Sequence, residues 1–392
     1  MAQVAVALAG FCAFINLYSP QAVLPLLSQE FSASAAQIST IITVSTLAVA
    51  ITAPFTGAIA DVLGRKRVIV TAMFVLVVPT LMVGLAPSLN WLIFWRGVQG
   101  LVLPPVFAVT IAYIGDEWPP AGATKVTGFY SSASSVGGFG GRLLVGILAD
   151  LISWRAGFIS LAAVAGIGAI IVAFTLPHER SFVGSKHIGA SLKQMVRHFS
   201  NGQLLAIYAV GFGVLFNFIA TFTYISFYLA KPPYNLSPTA LGFIFVVYLA
   251  GAALSPWTGW AVARFGRRRF VIRVLALWAV GIALTLLSPL PVIILGLALC
   301  AACGLLCQAV STGYVAVTAK VGRSSAVGLY ATAFYIGGSC GSALGGLAWS
   351  HGEWPLCVAM IIAMLVAMTL VVTFLWTRRV PPGPSVPPLE AA

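Results

Sequence analysis

A chain of 392 residues in which 60% are hydrophobic and only 7% charged, with a mean hydropathy of +1.02, is excluded from the soluble globular class, where charged residues run at about a quarter. The net charge of +13 would point to nucleic acid in a soluble protein. Here the basic residues cluster between long apolar stretches, so the charge follows a membrane and no nucleic-acid partner is expected.

Taken in order, the apolar stretches predict twelve membrane helices, near 4–27, 36–60, 68–86, 90–113, 123–148, 156–176, 203–229, 239–263, 270–288, 291–315, 325–348 and 355–376. Each can cross roughly 30 Å of hydrocarbon. No basic region precedes the first and no small-residue cleavage site follows it, so it reads as a retained helix and not a signal peptide. It carries Cys12, Asn16, Tyr18 and Gln21 as its polar side chains. Between spans 2 and 3 the chain reads Gly57-Ala-Ile-Ala-Asp61-Val-Leu-Gly64-Arg65-Lys66-Arg67. Span 4 holds Arg96-Gly97-Val98-Gln99-Gly100; span 5 holds Gly137, Gly141 and Arg142 and ends at Asp150. Its Ser131, Ser132, Ser134 and Ser135 suit close helix packing.

Residues 177–202 are the longest break in hydropathy and are read as a cytoplasmic linker between a bundle at 1–176 and another at 203–376. Leu192, Met195, Val196 and Phe199 fall at helical spacing opposite Lys193 and Arg197, which suits a short helix on the anionic inner leaflet. His178, His187 and His198 are read as solvated. In the second half, Cys300, Cys303 and Cys307 share a helical face; with no His or carboxylate nearby in sequence they read as packing residues, and no metal or other cofactor is expected. The proline run after Arg379 predicts a disordered tail at 377–392.

Gly128, Tyr130, Ala133, Gly137, Gly138, Gly141, Leu144, Gly146 and Trp154 recur 200 residues later as Gly328, Tyr330, Ala333, Gly337, Gly338, Gly341, Leu344, Gly346 and Trp354. A duplication in the same orientation is how two parallel bundles around a central site look in sequence. All but four of the 21 lysines and arginines fall on the side of the two termini, which places both termini in the cytoplasm; Arg155 and Lys231 face outward, and Arg96 and Arg142 lie inside spans.

The segment from Gly57 to Arg67 resembles the signature loop of the major facilitator superfamily. A degenerate copy stands at Gly259, Gly266, Arg267, Arg268 and Arg269, with Ala263 in the place of the acid. Arg96 to Gly100 is similar to the superfamily's span-4 arginine motif, and the span-5 glycines to its antiporter motif. YSPQAVLPLLSQEF from Tyr18, with Gly141-Arg142 and Trp154-Arg155, looks most like YnfM-like, arabinose-efflux-permease-type bacterial inner-membrane exporters. The resemblance implies twelve transmembrane helices in two pseudo-symmetric six-helix bundles, alternating access, and a monomer of the bacterial inner membrane that handles a small molecule among lipids. It also implies that Asp61 bridges the bundles at the cytoplasmic face when the protein opens outward, with Ser324 and Ser325 as receiving caps. Two departures bear on coupling. Arg142 and Ser342 stand where the antiporter motif has proline, and span 1 lacks the carboxylate common in proton-coupled drug exporters of the family.

None of the eight acids, Glu30, Asp61, Asp116, Glu117, Asp150, Glu179, Glu353 and Glu390, lies in a span interior. A proton carrier would therefore be Asp61, Asp150 or Glu30. A buried arginine costs about 2.5–3.5 kcal/mol to insert and needs a partner or a wet cavity. Arg96 is read as a substrate contact, and Arg142 as a seal of the outer gate that reaches Asp150. The alternative is that each pairs with backbone carbonyls, Asn16, Gln21 or Asp150. If spans 1, 4, 7 and 10 line the cavity, its inventory is Asn16, Tyr18, Gln21, Arg96, Gln99, Asn217, Thr221, Tyr224, Gln308, Ser311, Thr312 and Tyr314. Hydroxyls, amides and arginine suit a small polar or anionic solute. The preferred reading is proton-driven efflux; an organic-anion exchanger or uptake carrier, and a non-transporting receptor, are the alternatives. No nucleophile with a matching base, phosphate loop or metal cluster supports an enzyme.

Overall fold

The computed structural model describes residues 1–179, 197–319 and 323–376, and these are helical almost throughout. The expected amphipathic helix at 192–199 lies largely outside the described residues, as do the tail and the side chain of Ser324. Eight helices among the described residues are long and apolar enough to cross a membrane alone. The run Arg323–Leu375 is one of them and crosses twice. It breaks at Gly352 and Glu353, whose backbones leave the helical region, and Trp354 starts span 12. Ala2–Leu17, Arg267–Leu284 and the bent pair Pro238–Leu254 and Thr258–Phe265 bring the set to twelve.

Polar caps set the span starts on the side that the charge distribution assigns to the outside, called the outer end below. Ser34 opens span 2 with a reciprocal capping box to Gln37. Ser88, Ser153 and Ser237 accept from the backbone N–H three residues ahead at the starts of spans 4, 6 and 8. Inner-end turns are tighter. Gly64, at φ 89°, is both the end of span 2 and the cap of span 3, and Gly266, at φ 76°, does the same between spans 8 and 9. These are left-handed positions that favour glycine.

Two predicted helices are interrupted. Span 1 is a helix Ala2–Leu17, a 3₁₀ turn Ser19–Ala22 and a helix Leu24–Glu30, because Pro20 and Pro25 each start a new segment. Span 8 changes pitch at Phe245–Val247 and again at Ser255–Trp257, where proline stands at the start of the turn.

The halves meet along two seams, span 2 against span 11 and span 5 against span 8. Both are tight at the outer end. A Cβ on Gly146 would collide with the Pro238 carbonyl, and one on Gly346 would sit 3.0 Å from Ala36 Cα. Ser342 Oγ donates to Ser39 O at 3.0 Å, Thr46 and Ser339 share a 2.8 Å hydroxyl contact, and Thr332 donates to Ala50 O at 3.3 Å. Toward the inner end the fit is looser: a Cβ on Gly328 of span 11 would meet only Pro54 Cα of span 2, at 3.8 Å, and one on Gly57, Gly128 or Gly259 would meet nothing within 4 Å. The halves are therefore packed most tightly at the outer end.

Candidate functional site

Arg96 is fully buried in the N-terminal half, and spans 1, 2 and 4 hold its two terminal nitrogens while Nε is left without a partner. It donates to Asn16 O at 3.1 Å, Leu17 O at 2.5 Å and Ser45 Oγ at 3.0 Å, and to Gln99 Oε1. The two carbonyls are free to accept because helix Ala2–Leu17 stops there, leaving its last C=O groups without intrahelical partners. Gln99 Nε2 in turn donates to Thr80 Oγ1 at 2.8 Å and Asn16 Oδ1 at 3.3 Å, and Thr80 donates to Asn16 Oδ1 at 3.1 Å. Four spans are thus tied by one polar network. The partners are those of the bracing alternative, backbone carbonyls of span 1 and the network around Asn16. Thr80 and Ser45 complete it and were not on the sequence inventory.

Arg142 stands at the seam instead. Its Nε and Nη2 both donate to the single Oε1 of Gln21, at 2.9 and 2.7 Å, and Nη1 donates to Gly138 O at 2.5 Å. Gln21 passes the link across to the other half, since its Nε2 donates to Thr223 Oγ1 of span 7 at 3.2 Å. Around the guanidinium carbon lie three rings, Phe245 at 4.4 Å, Tyr248 at 5.0 Å and Tyr18 at 5.2 Å. Such contacts are worth about 2 kcal/mol when desolvated. Tyr18 and Tyr248 are half-buried, so the box has an open rim, while Arg142 itself is enclosed. Below it, Phe107 of span 4 packs on Phe14 and, across the halves, on Tyr335, with ring centroids 5.8 and 5.9 Å apart.

Asp150 is not the partner of Arg142. Its Oδ2 accepts from the backbone N–H of Thr239 at 2.9 Å, next to the start of span 8, where unpaired N–H groups favour an anion. The carboxylate of span 5 therefore latches the outer seam directly. Among the described residues the ion pairs are Arg65–Asp61, Arg65–Asp116, Arg155–Glu30 and Lys231–Glu353, and none reaches Arg96 or Arg142.

Of the other predicted lining residues, Asn217 and Thr221 are fully buried in span 7, with Asn217 Oδ1 and Thr221 Oγ1 unpartnered. Tyr224 is fully buried, donating to Ser342 O at 2.5 Å, stacking on Trp349 and lying beside Ser39 of span 2 at the seam. Gln308 is half-buried on span 10. Sequence reasoning missed Phe245, Tyr248 and Thr223, because which face of spans 7 and 8 turns toward span 5 carries no local signal. Gly137 and Gly141 let span 5 lie against span 1 at the Phe11 and Ile15 carbonyls; Gly337 and Gly341 do the same for span 11 against Phe212 and Phe216.

The family model of the Major Facilitator Superfamily matches residues 6–233 and again residues 216–392. The chain belongs to the major facilitator superfamily. It is a membrane transporter of that family. The inner membrane transport protein YnfM of Escherichia coli strain K12 is 32% identical over 371 residues, covering 94% of this chain and 89% of the relative. An uncharacterized transporter of Buchnera aphidicola subsp. Schizaphis graminum is 30% identical over 348 residues, covering 88% and 84%. Among solved structures, the nucleoside transporter NupG superposes with a TM-score of 0.78 at 14% identity, over 96% of this chain and 100% of that one. A bacterial homolog of the human lysosomal transporter Spinster, described as inward-facing and occupied, gives 0.70 at 16% identity, over 95% and 93%.

At the inner end, the superfamily loop is held within its own half. Arg65 lies 3.5 Å from Asp61 and 2.7 Å from Asp116, and Glu179 Oε2 accepts from the Lys66 N–H at 3.4 Å. Asp61 is 45% exposed. Among the described residues the contacts of Asp61 stay within its own half, and the side chain of Ser324, its expected receiver, lies outside them, whereas Asp150 reaches across to span 8.

Proposed function

We propose that this superfamily transporter is a secondary active exporter of a small polar or anionic organic solute, working by rocking 1–176 against 203–376. The observation that carries the substrate class is Arg142: an enclosed guanidinium at the meeting of the halves, facing aromatic rings and one neutral amide, in a chain whose span interiors hold no carboxylate. A cation would be repelled there, and an anion would supply the missing counter-charge. Similarity to YnfM, an inner membrane transport protein, supports a place in the bacterial inner membrane with cytoplasmic termini. Proton coupling would run through acids at the moving contacts, Asp150 outside and Asp61 inside, with Glu30 held by Arg155 at 2.9 Å. The absence of an intramembrane acid favours one other reading, the exchange of one organic anion for another.

The test is a solute panel of organic anions, sugars and organic cations, first for stabilisation of the detergent-purified protein and then for transport into proteoliposomes under an imposed potential or proton gradient. Anions should stabilise it and be moved. If only sugars or only cations do so, the reading falls.

A further inference from the structure

We infer that Gln21 is an internal stand-in for a carboxylate, and that a small aromatic carboxylate displaces it from Arg142 and thereby unseals the outer gate. This rests on the anionic-substrate reading above and goes further, naming the reacting group and what its arrival does.

The argument starts from the guanidinium fork. Nε and Nη2 form one edge of a planar donor set that matches the two oxygens of a carboxylate. Here both donors converge on the single Oε1 of Gln21, at 2.9 and 2.7 Å. A neutral amide oxygen in a bidentate position is a weak partner for an arginine with no counter-ion. A carboxylate would give each donor its own oxygen and add the missing charge, and charge-assisted hydrogen bonds are about twice as strong as neutral ones. The rings of Phe245, Tyr248 and Tyr18 stand 4.4–5.2 Å from the guanidinium carbon and give a flat apolar body faces to pack on. The half-buried Tyr18 and Tyr248 form the rim through which it enters.

Displacement has a mechanical consequence because Gln21 uses both ends of its amide. While Oε1 holds Arg142 of span 5, Nε2 holds Thr223 of span 7 at 3.2 Å, so one side chain bridges the halves just under the outer seal. A ligand that takes the fork removes the anchor that orients this bridge. Phe245 and Tyr248 belong to span 8, whose start is held by Asp150, so the same event disturbs the ring contacts beside the outer latch. Binding from the inside thus favours opening to the outside.

The experiment uses benzoate as the probe and benzamide as its neutral isostere, with binding measured by calorimetry and thermal stabilisation of the purified full chain. Benzoate should bind and benzamide should not. Arg142→Lys, which keeps the charge and loses the fork, should weaken benzoate about tenfold or more. Gln21→Ala removes the competitor and should tighten benzoate roughly two- to tenfold. In Ala36→Cys, on the outer seam against Gly346, the new thiol should be labelled faster by an impermeant maleimide when benzoate is present and not when benzamide is. If Gln21→Ala weakens benzoate while Arg142 is still required, Gln21 is a ligand contact and the displacement idea falls, with the anion reading intact. If sulfonates or phosphates bind and carboxylates do not, the carboxylate assignment falls alone. Binding restricted to neutral or cationic solutes overturns both.

Discussion

Asn16 and Asn217 occupy the same place in the two halves and lead opposite lives. Gly137 meets the carbonyl of Phe11 and Gly337 that of Phe212; Gly141 meets Ile15 and Gly341 meets Phe216. These pairs put residue 16 opposite residue 217. Asn16 is saturated, with Cys12 O, Thr80 and Gln99 around it, whereas Asn217 has the sulfur of Met368 at 3.5 Å for its amide nitrogen and an unpartnered Oδ1. The cause lies on the span behind. Leu89–Glu117 and Leu290–Thr318 are both 29 residues long, which puts Leu297 where Arg96 is and Cys300 where Gln99 is. Duplication has kept the backbone contacts that glycine makes possible and let the interior chemistry diverge. One half is braced by a buried cation; the other is packed with sulfur and rings, as at Phe218 and Trp278, with centroids 6.1 Å apart. Positive charge within the spans therefore belongs to one half only, and a substrate crossing between them meets two unlike walls.

Making the braced half resemble the packed one should give the largest effect. Arg96→Leu strands the buried Ser45, Gln99 and the two carbonyls, and should cost about 2–4 kcal/mol in unfolding of the detergent-purified protein. Adding Gln99→Cys, which copies the other half further, should recover about 1 kcal/mol, because replacing both partners of a hydrogen bond is milder than orphaning one. A single-variant cost near zero would mean that the network is not a brace.

The next comparison is between the ends of the seams. Gly146→Ala forces a Cβ into the Pro238 carbonyl, an overpacking cost of about 1–3 kcal/mol paid only when the outer gate is shut, so transport should fall about tenfold while the fold survives. Gly346→Ala should act in the same direction and more weakly, since its nearest neighbour is at 3.0 Å. Gly128→Ala, with open space around it, should leave transport within about twofold in this state. Equal effects of all three on initial rates in proteoliposomes would contradict an outer-closed seam.

The latches give the smallest changes. Asp150→Asn removes the charge beside the first turn of span 8, a term of about 0.3–1 kcal/mol, and should shift the ratio of inward to outward crosslinking up to about fivefold. Asp61→Asn should change stability by less than about 0.5 kcal/mol, because Asp61 is itself 45% exposed and its contact with Arg65 is long at 3.5 Å, while slowing the transport cycle and leaving substrate affinity within a few-fold. Loss of affinity there would mean that Asp61 is more than a gate.

The family, the twelve crossings and the two halves were legible because composition, charge asymmetry and the 200-residue glycine frame are collective signals that many residues carry together. Breaks inside spans 1 and 8 were less visible. A hydropathy window averages over Pro20 and Pro25, although both prolines mark the turns that the structure shows. Arg96 and Arg142 stood out as isolated charges, and Asn16, Gln21 and backbone carbonyls were named among their possible partners. Which arginine met which partner depended on the rotation of each helix about its axis. Asp150 lies two turns from Arg142 in sequence and still pairs elsewhere, because the N–H groups at the start of span 8 come closer than the guanidinium does. Phe245 and Tyr248 were hidden for the same reason: they are two of many aromatics until span 8 is laid against span 5.

For the anionic cargo proposed above, the membrane's own voltage also has a direction. A bacterial cytoplasm is electrically negative, and each elementary charge that crosses the full potential exchanges about 2.3 kcal/mol per 100 mV. Arg142 rides with the protein through a full cycle and returns to where it began, so over that cycle its own charge does no net work. A bound monoanion that leaves outward is moved down the field by that amount. A carrier that accepts anions and bars cations thus has electrical work available for export in addition to any proton gradient, and none of it needs a carboxylate buried in the spans.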